Sequence, residues 1–182
     1  MSRIGVLLAE GFEEIEAVTI IDVLRRAGLE VTILGVGGAK IGGAHGLQVE
    51  ADQVLEEDPG SDWSALVLPG GLPGATNLRD NPIVLELIRS THAAGGKLAA
   101  ICAAPIVLGS AGVLEGRRAT CYPGFEEGLT GAECSEDRVV VDGDITTSRG
   151  PGTSLDFALC LVSQFKDQET ADALREGMLI NA

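Results

Sequence analysis

The sequence predicts an α/β domain built on a mostly parallel sheet with helices on both faces. Short apolar runs alternate with longer segments of helical periodicity, the pattern left by strands that cross over through helices. Of the 182 residues 45% are apolar, enough to bury one core and too few to favour two. No internal repeat, low-complexity tract or linker divides the chain.

The elements follow in order. Arg3–Ala9 is an apolar strand, and Glu13–Ala27 a helix. Apolar residues surround that helix: Ile20, Val23 and Ala27 form one stripe, while Ile15, Val18, Ile21 and Leu24 occupy its other sides. A helix apolar nearly all round is covered on two sides, and a second subunit is the simplest second cover. A homodimer with this helix in or near the interface is therefore expected. Glu30–Val36 is the next strand. Gly37–Asp52, leading into Leu47–Glu50, forms a small antiparallel excursion. A strand at Ala65–Pro69, a helix at Pro82–Ala94, a strand at Leu98–Ile101 and a helix at Pro105–Gly112 continue the alternation. Arg138–Ser148, broken by Asp142-Gly143, suits a hairpin near a sheet edge. Helices at Gly152–Gln164 and Gln168–Glu176 close the domain.

Charge and cysteine usage narrow the function. With 13 Lys and Arg against 27 Asp and Glu, the net charge of −14 repels phosphate backbones and anionic headgroups, so neither nucleic acid nor membrane is an expected partner. The apolar run Ile4–Ala9 is shorter than a signal-peptide core and far below the ~20 residues of a membrane span, which suits a cytoplasmic protein. The cysteines at 102, 121, 134 and 160 form no C-x-x-C pair, and His45 and His92 stand far apart, so no metal is expected. No G-x-G-x-x-G or Walker pattern points to a nucleotide, and no cofactor is expected.

Cys102 has the one unusual setting among the thiols. It follows the small and apolar strand Leu98–Ile101 and precedes a helix with Pro105 in its first turn, where a missing N–H has no intrahelical use. At a helix N-terminus its thiolate would be stabilised and its pKa lowered below the ~8.5 of a free cysteine; the alternative is a buried core thiol. Glu16 shares the stripe of Ile20, Val23 and Ala27 and so points into apolar surroundings, where desolvation keeps a proton on a carboxyl. Glu13 and Glu14 in the first turn complement the helix dipole. The turn Leu68–Gly74 is either an oxyanion pocket or an ordinary glycine-rich turn, and the loop Ser148–Thr153 is open in the same way, either part of a site or only a cap, through Gly152 or Thr153, of the next helix.

Five motifs in order resemble the ThiJ/PfpI family, in particular its Parkinson-disease-associated deglycase (DJ-one) branch: Gly11–Glu16, Asp22–Gly28, Leu68–Gly71, Ala99–Pro105 and Ser148–Thr153. The likeness runs from about Arg3 to about Leu179. It implies a single class I glutamine amidotransferase-like domain over residues 1–182, a flavodoxin-like three-layer sandwich and a homodimer. It further implies Cys102 as nucleophile, Glu16 as the protonated general acid/base, and the N–H groups of Gly70, Gly71 and Ala103 as oxyanion donors. An ionised Glu16 would repel a thiolate, so the pair works only with the proton on the carboxyl. Some relatives carry a histidine where this chain has Tyr122, so a Cys-His dyad is not expected. Some also place near position 45 an arginine that reaches the partner subunit's site, while here a loop histidine stands there.

The implied activity is addition of Cys102 to a small aldehyde such as methylglyoxal and its conversion to lactate, as in a glutathione-independent glyoxalase (glyoxalase III) or protein deglycase. An oxidative-stress sensor with chaperone-like function, acting through oxidation of Cys102, is the alternative. Peptidase activity is disfavoured because Tyr122 is a poor substitute for a base.

Overall fold

The computed structural model describes residues 3–55 and 62–180. In chain order the elements are β1 (Arg3–Ala9), α1 (Glu14–Arg26), β2 (Glu30–Val36), β3 (Lys40–Gly42), β4 (Gln48–Glu50), β5 (Gln53–Val54), β6 (Ala65–Leu68), α2 (Gly74–Arg79) and α3 (Pro82–Ala93). They continue with β7 (Lys97–Ile101), α4 (Pro105–Ala111), β8 (Arg118–Ala119), β9 (Glu133–Cys134), β10 (Val139–Asp142), β11 (Ile145–Ser148), α5 (Ser154–Phe165) and α6 (Gln168–Gly177).

Seven strands form one sheet in the order β10-β11-β7-β6-β1-β2-β5. Every neighbouring pair is parallel except β10 with β11. Parallel strands covered on both faces are apolar throughout, and β1, β6 and β7 are buried almost end to end. Helices α1, α5 and α6 pack together on one side and α2, α3 and α4 on the other, giving the expected flavodoxin-like sandwich. No helix among the described residues is long and apolar enough to cross a membrane.

Local chemistry sets the helix starts. Glu13 caps α1 by accepting from the Ile15 N–H. Asn81 caps α3 by accepting from Ile83 and Val84, with Pro82 in the first turn, and Asp167 caps α6 through Thr170. The expected helix from Gly152 begins instead at Ser154, because Pro151–Thr153 form a tighter 3-10 turn closed by the Thr153 side chain on the Gly150 N–H.

Sequence order and sheet order part company beside β1. From β1 the chain builds outward through β2 and β5, then returns to lay β6 on the other flank of β1. In open α/β sheets the crevice for ligands forms at such a reversal, outside the carboxyl ends of the strands. The segments following β1, β6 and β7 all meet there.

Candidate active site

Cys102 is the first residue after β7 and has φ +63°, one of two positive values among the described non-glycine residues. Such a backbone costs of order 1–3 kcal/mol and persists only where the surroundings impose it. Here its N–H donates to Ser148 O at 3.0 Å, its carbonyl accepts from Tyr122 N at 2.8 Å, and Ala104 N closes the turn on Ile101 O at 3.0 Å. The residue is 9% exposed.

Gly70, after β6, makes the tight approach to this elbow. A Cβ on it would stand 2.6 Å from Cys102 Cβ and 3.0 Å from Ala103 N. Gly71 has φ +88°, and a Cβ there would meet Glu13 N at 2.3 Å, so the β6 turn lies flat on the start of α1. Gly70 O accepts from Glu13 N at 2.9 Å, which locks the two segments together.

Glu16, in the first turn of α1, is 0% exposed. Its Oε2 accepts from the Gly70 N–H at 2.7 Å. Its Oε1 is buried with no hydrogen-bond partner, and the Cys102 thiol lies close enough for the two groups to shift each other's pKa. Burial pushes the Glu16 carboxyl up to about 7, against the Gly70 N–H and the thiol, which favour the charged form.

The thiol does not show the acidity expected from a helix N-terminus. Burial pushes it up to about 12, the charge of Glu16 and the hydrogen bond to it add to that rise, and the N–H groups of Gly71 and Ala103 pull against it. Both contributions of Glu16 exist only while the carboxyl is ionised, so the position of one proton decides the character of the thiol.

Sequence reasoning therefore brings Cys102, Glu16, Gly70, Gly71 and Ala103 together, with one change of part. The Gly70 N–H, implied as an oxyanion donor, is committed to Glu16, whereas those of Gly71 and Ala103 lower the pKa of the thiol.

An open cleft of about 340 Å³ leads to Cys102, lined also by Glu13, His45, Leu72, Tyr122 and Phe125. His45 belongs to the cleft of its own chain, a placement that its loop position in sequence did not reveal. Glu14 is buried; its Oε1 accepts from the His45 N–H at 2.6 Å and its Oε2 pairs with His45 Nδ1 at 2.9 Å. That contact raises the imidazole pKa. Glu13, Glu14 and His45 each bring one donor atom within 4.8 Å of the others, a set that an ion pair already uses. The signal for this anchor was the loop Gly42–Gly46, whose Gly43 leaves room for the Glu14 carboxyl. His92 pairs with Asp144 outside the cleft. Cys121 is buried beside Arg149, Glu126 and Cys134, and all four thiols are free.

A model described as the DJ-1/PfpI family matches residues 2–164. Protein dj-1beta of Drosophila melanogaster is 38% identical over 96% of this chain and 95% of its own length. The glutathione-independent glyoxalase DJR-1.2 of Caenorhabditis elegans is 33% identical over 98% of this chain and 96% of that protein. The crystal structure of Drosophila DJ-1beta superposes with a TM-score of 0.93 at 37% identity, covering the whole of both chains. Two longer Arabidopsis thaliana homologues match over 39% and 45% of their own length.

Proposed function

We propose that this chain, which belongs to the DJ-1/PfpI family, is a cysteine-dependent glyoxalase converting methylglyoxal and related α-oxoaldehydes to α-hydroxy acids without glutathione. The observation that carries the reading is the strained Cys102 elbow against a buried carboxyl that is hydrogen-bonded on one oxygen and open on the other. The glyoxalase name of the Caenorhabditis relative supports it.

The chemistry balances within the site. The Cys102 thiolate adds to the aldehyde carbon, and the N–H groups of Gly71 and Ala103 face the developing oxyanion. Glu16 supplies the proton that completes the hemithioacetal. As a carboxylate it then removes the hydrogen from the former aldehyde carbon, giving an enediol, and returns a proton to the neighbouring carbon. The product is a thioester of the hydroxy acid, and water cleaves it to lactate and the free thiol. The aldehyde carbon is oxidised as the ketone carbon is reduced, so no outside oxidant is needed. Loss of free aldehyde through this route would also lower protein glycation.

Lactate formation from methylglyoxal by purified protein is the test. Wild type producing none, or Cys102→Ser producing it as fast as wild type, would remove the proposal.

The open Oε1 of Glu16 favours one second reading, oxidation of Cys102 to a sulfinate whose oxygen this carboxyl would bind. Among the described residues no histidine hydrogen-bonds Cys102, and the Tyr122 ring lines the cleft where a base would serve amide cleavage, which disfavours a peptidase.

The same reading includes a homodimer and a reducing, cytoplasmic setting, which four unpaired thiols suit. Ile15 and Val18, three residues apart on α1, are 57% and 49% exposed, an apolar face that a second copy would cover. Light scattering would report a dimer for wild type and a monomer for the double variant Ile15→Glu, Val18→Glu. An unchanged mass would remove α1 from the interface.

A further inference from the structure

The loop Ser148–Thr153 carries Arg149, which the chemistry above does not use. Other arginines have acidic partners: Arg25 pairs with Asp52, Arg26 with Asp22, and Arg117 with Asp142 and Asp144. Among the described residues the Arg149 guanidinium has neither an ion pair nor a hydrogen bond. Arg3, Lys40, Lys97 and Lys166 also lack an acidic partner among the described residues, but of these cations only Arg149 lines a space bordering the Cys102 cleft.

Arg149 lines a recess of about 300 Å³ with Tyr122, Pro123, Arg138 and the turn Gly150–Thr153. Tyr122 and Pro151 line the Cys102 cleft as well, so the two spaces share a wall. Gly150 leaves room for the Tyr122 ring, whose Cδ2 would be 3.1 Å from a Cβ there. The neighbouring Arg138 is taken up by Asp156 at 2.7 Å and by Gly152 O at 2.9 Å, which leaves Arg149 as the cation with donors to offer.

Size points the same way. Clefts of about 300 Å³ and above hold drug-sized ligands, and a five-heavy-atom dicarbonyl leaves most of such a space empty. A single guanidinium matches a monoanion in charge and offers a planar pair of N–H groups to a carboxylate. Dianionic phosphate would leave one charge without a partner.

We infer that the preferred substrates are α-oxoaldehydes extended by a terminal carboxylate, with the aldehyde at Cys102 and the carboxylate on Arg149, across Tyr122. The inference rests on the glyoxalase reading and narrows it to a substrate class.

The test compares 4,5-dioxopentanoate with its neutral amide, which differs only in charge at the far end. Wild type is expected to show kcat/KM at least tenfold higher for the acid, and Arg149→Gln to bring that ratio to about one. A wild-type ratio near one, or a preference that survives Arg149→Gln, overturns the inference. Methylglyoxal turnover by wild type in the same assay judges the glyoxalase reading alone. A binding readout keeps the two separate: 4-oxopentanoate, which lacks the aldehyde, should protect Cys102 from alkylation in wild type and lose at least tenfold of that effect in Arg149→Gln. Equal protection of both proteins overturns the role of Arg149 whatever the turnover.

Discussion

Glu16→Gln removes a proton site while keeping the shape of the side chain. The glutamine carbonyl can accept from the Gly70 N–H, as Oε2 does at 2.7 Å, and the amide nitrogen then faces the thiol. In the native pair the first proton leaves near pH 7 and the second near 12. For two coupled groups these are steps of the pair, and the singly protonated form exchanges between carboxylate with thiol and carboxyl with thiolate at constant proton count. Thiolate reactivity therefore appears as pH rises through about 7. In the variant the thiol titrates alone. Loss of the Glu16 charge brings it below about 12, but burial still holds it above the ~8.5 of a free cysteine. The acid limb of Cys102 alkylation should thus move up by roughly 1.5 units or more, about 2 kcal/mol against the thiolate. Iodoacetamide rates between pH 5 and 10, followed by mass spectrometry on the Cys102 peptide, would measure it. Lactate production should fall by roughly 10²–10⁴-fold, the range for a lost general acid/base. An acid limb that stays put or moves down, or a kcat within threefold of wild type, would refute the shared proton.

The same carboxyl has a pH-dependent effect on stability. Its folded pKa is raised from 4.5 to about 7, so its contribution is full below 4.5 and is lost as pH rises through 7, a change of about 3 kcal/mol. Glu16→Gln escapes that loss, and urea midpoints should show the variant gaining on wild type between pH 5 and 8; a constant difference would contradict the desolvation. Gly70→Ala places a methyl 2.6 Å from Cys102 Cβ, with Ile101 O and Ala103 N behind it, none of which moves cheaply. About 1–3 kcal/mol of stability and roughly 100-fold in activity should go, as overpacking and a 1 Å displacement at a reacting group require; wild-type activity in this variant would show that the close approach is dispensable. Under mild peroxide, peptide mapping should find sulfinate at Cys102 before Cys121, Cys134 or Cys160, although Cys134 is the exposed thiol. Cys134 oxidising first would separate reactivity from the Glu16 contact.

Much of this architecture is legible in the sequence, because buried parallel strands such as β1 and β7 are unbroken apolar runs. Helix α2 is not, since Gly74–Arg79 is too short for periodicity, contains Gly, Thr and Asn, and forms by packing on β1 and α4. The two-residue strands β5, β8 and β9 are equally silent. Within the site, periodicity was enough to turn Glu16 inward, and Pro105 with its small neighbours was enough to mark the elbow. The direction of the Gly70 N–H was not available, because whether it meets a carboxyl or an oxyanion depends on how the β6 turn docks on α1, 54 residues away from it in the chain. His45 was hidden for the same reason, its ion pair with Glu14 spanning 31 residues.

The burial that opposes an acidic thiol also makes the proposed chemistry workable. Burial raises both groups in this setting, the carboxyl to about 7 and the thiol, which holds its proton far more firmly, to about 12. Placed in contact, they need to release only one proton between them before a thiolate can exist beside a neutral carboxyl, and no cation is required to stabilise it. A histidine partner would serve a reaction that must hand a proton to a departing amine. Addition to an aldehyde followed by a shift of hydrogen between adjacent carbons has no such departing base. Its proton can leave and return through Glu16 alone, which suits a cleft where position 122 is a tyrosine and His45 is held by Glu14.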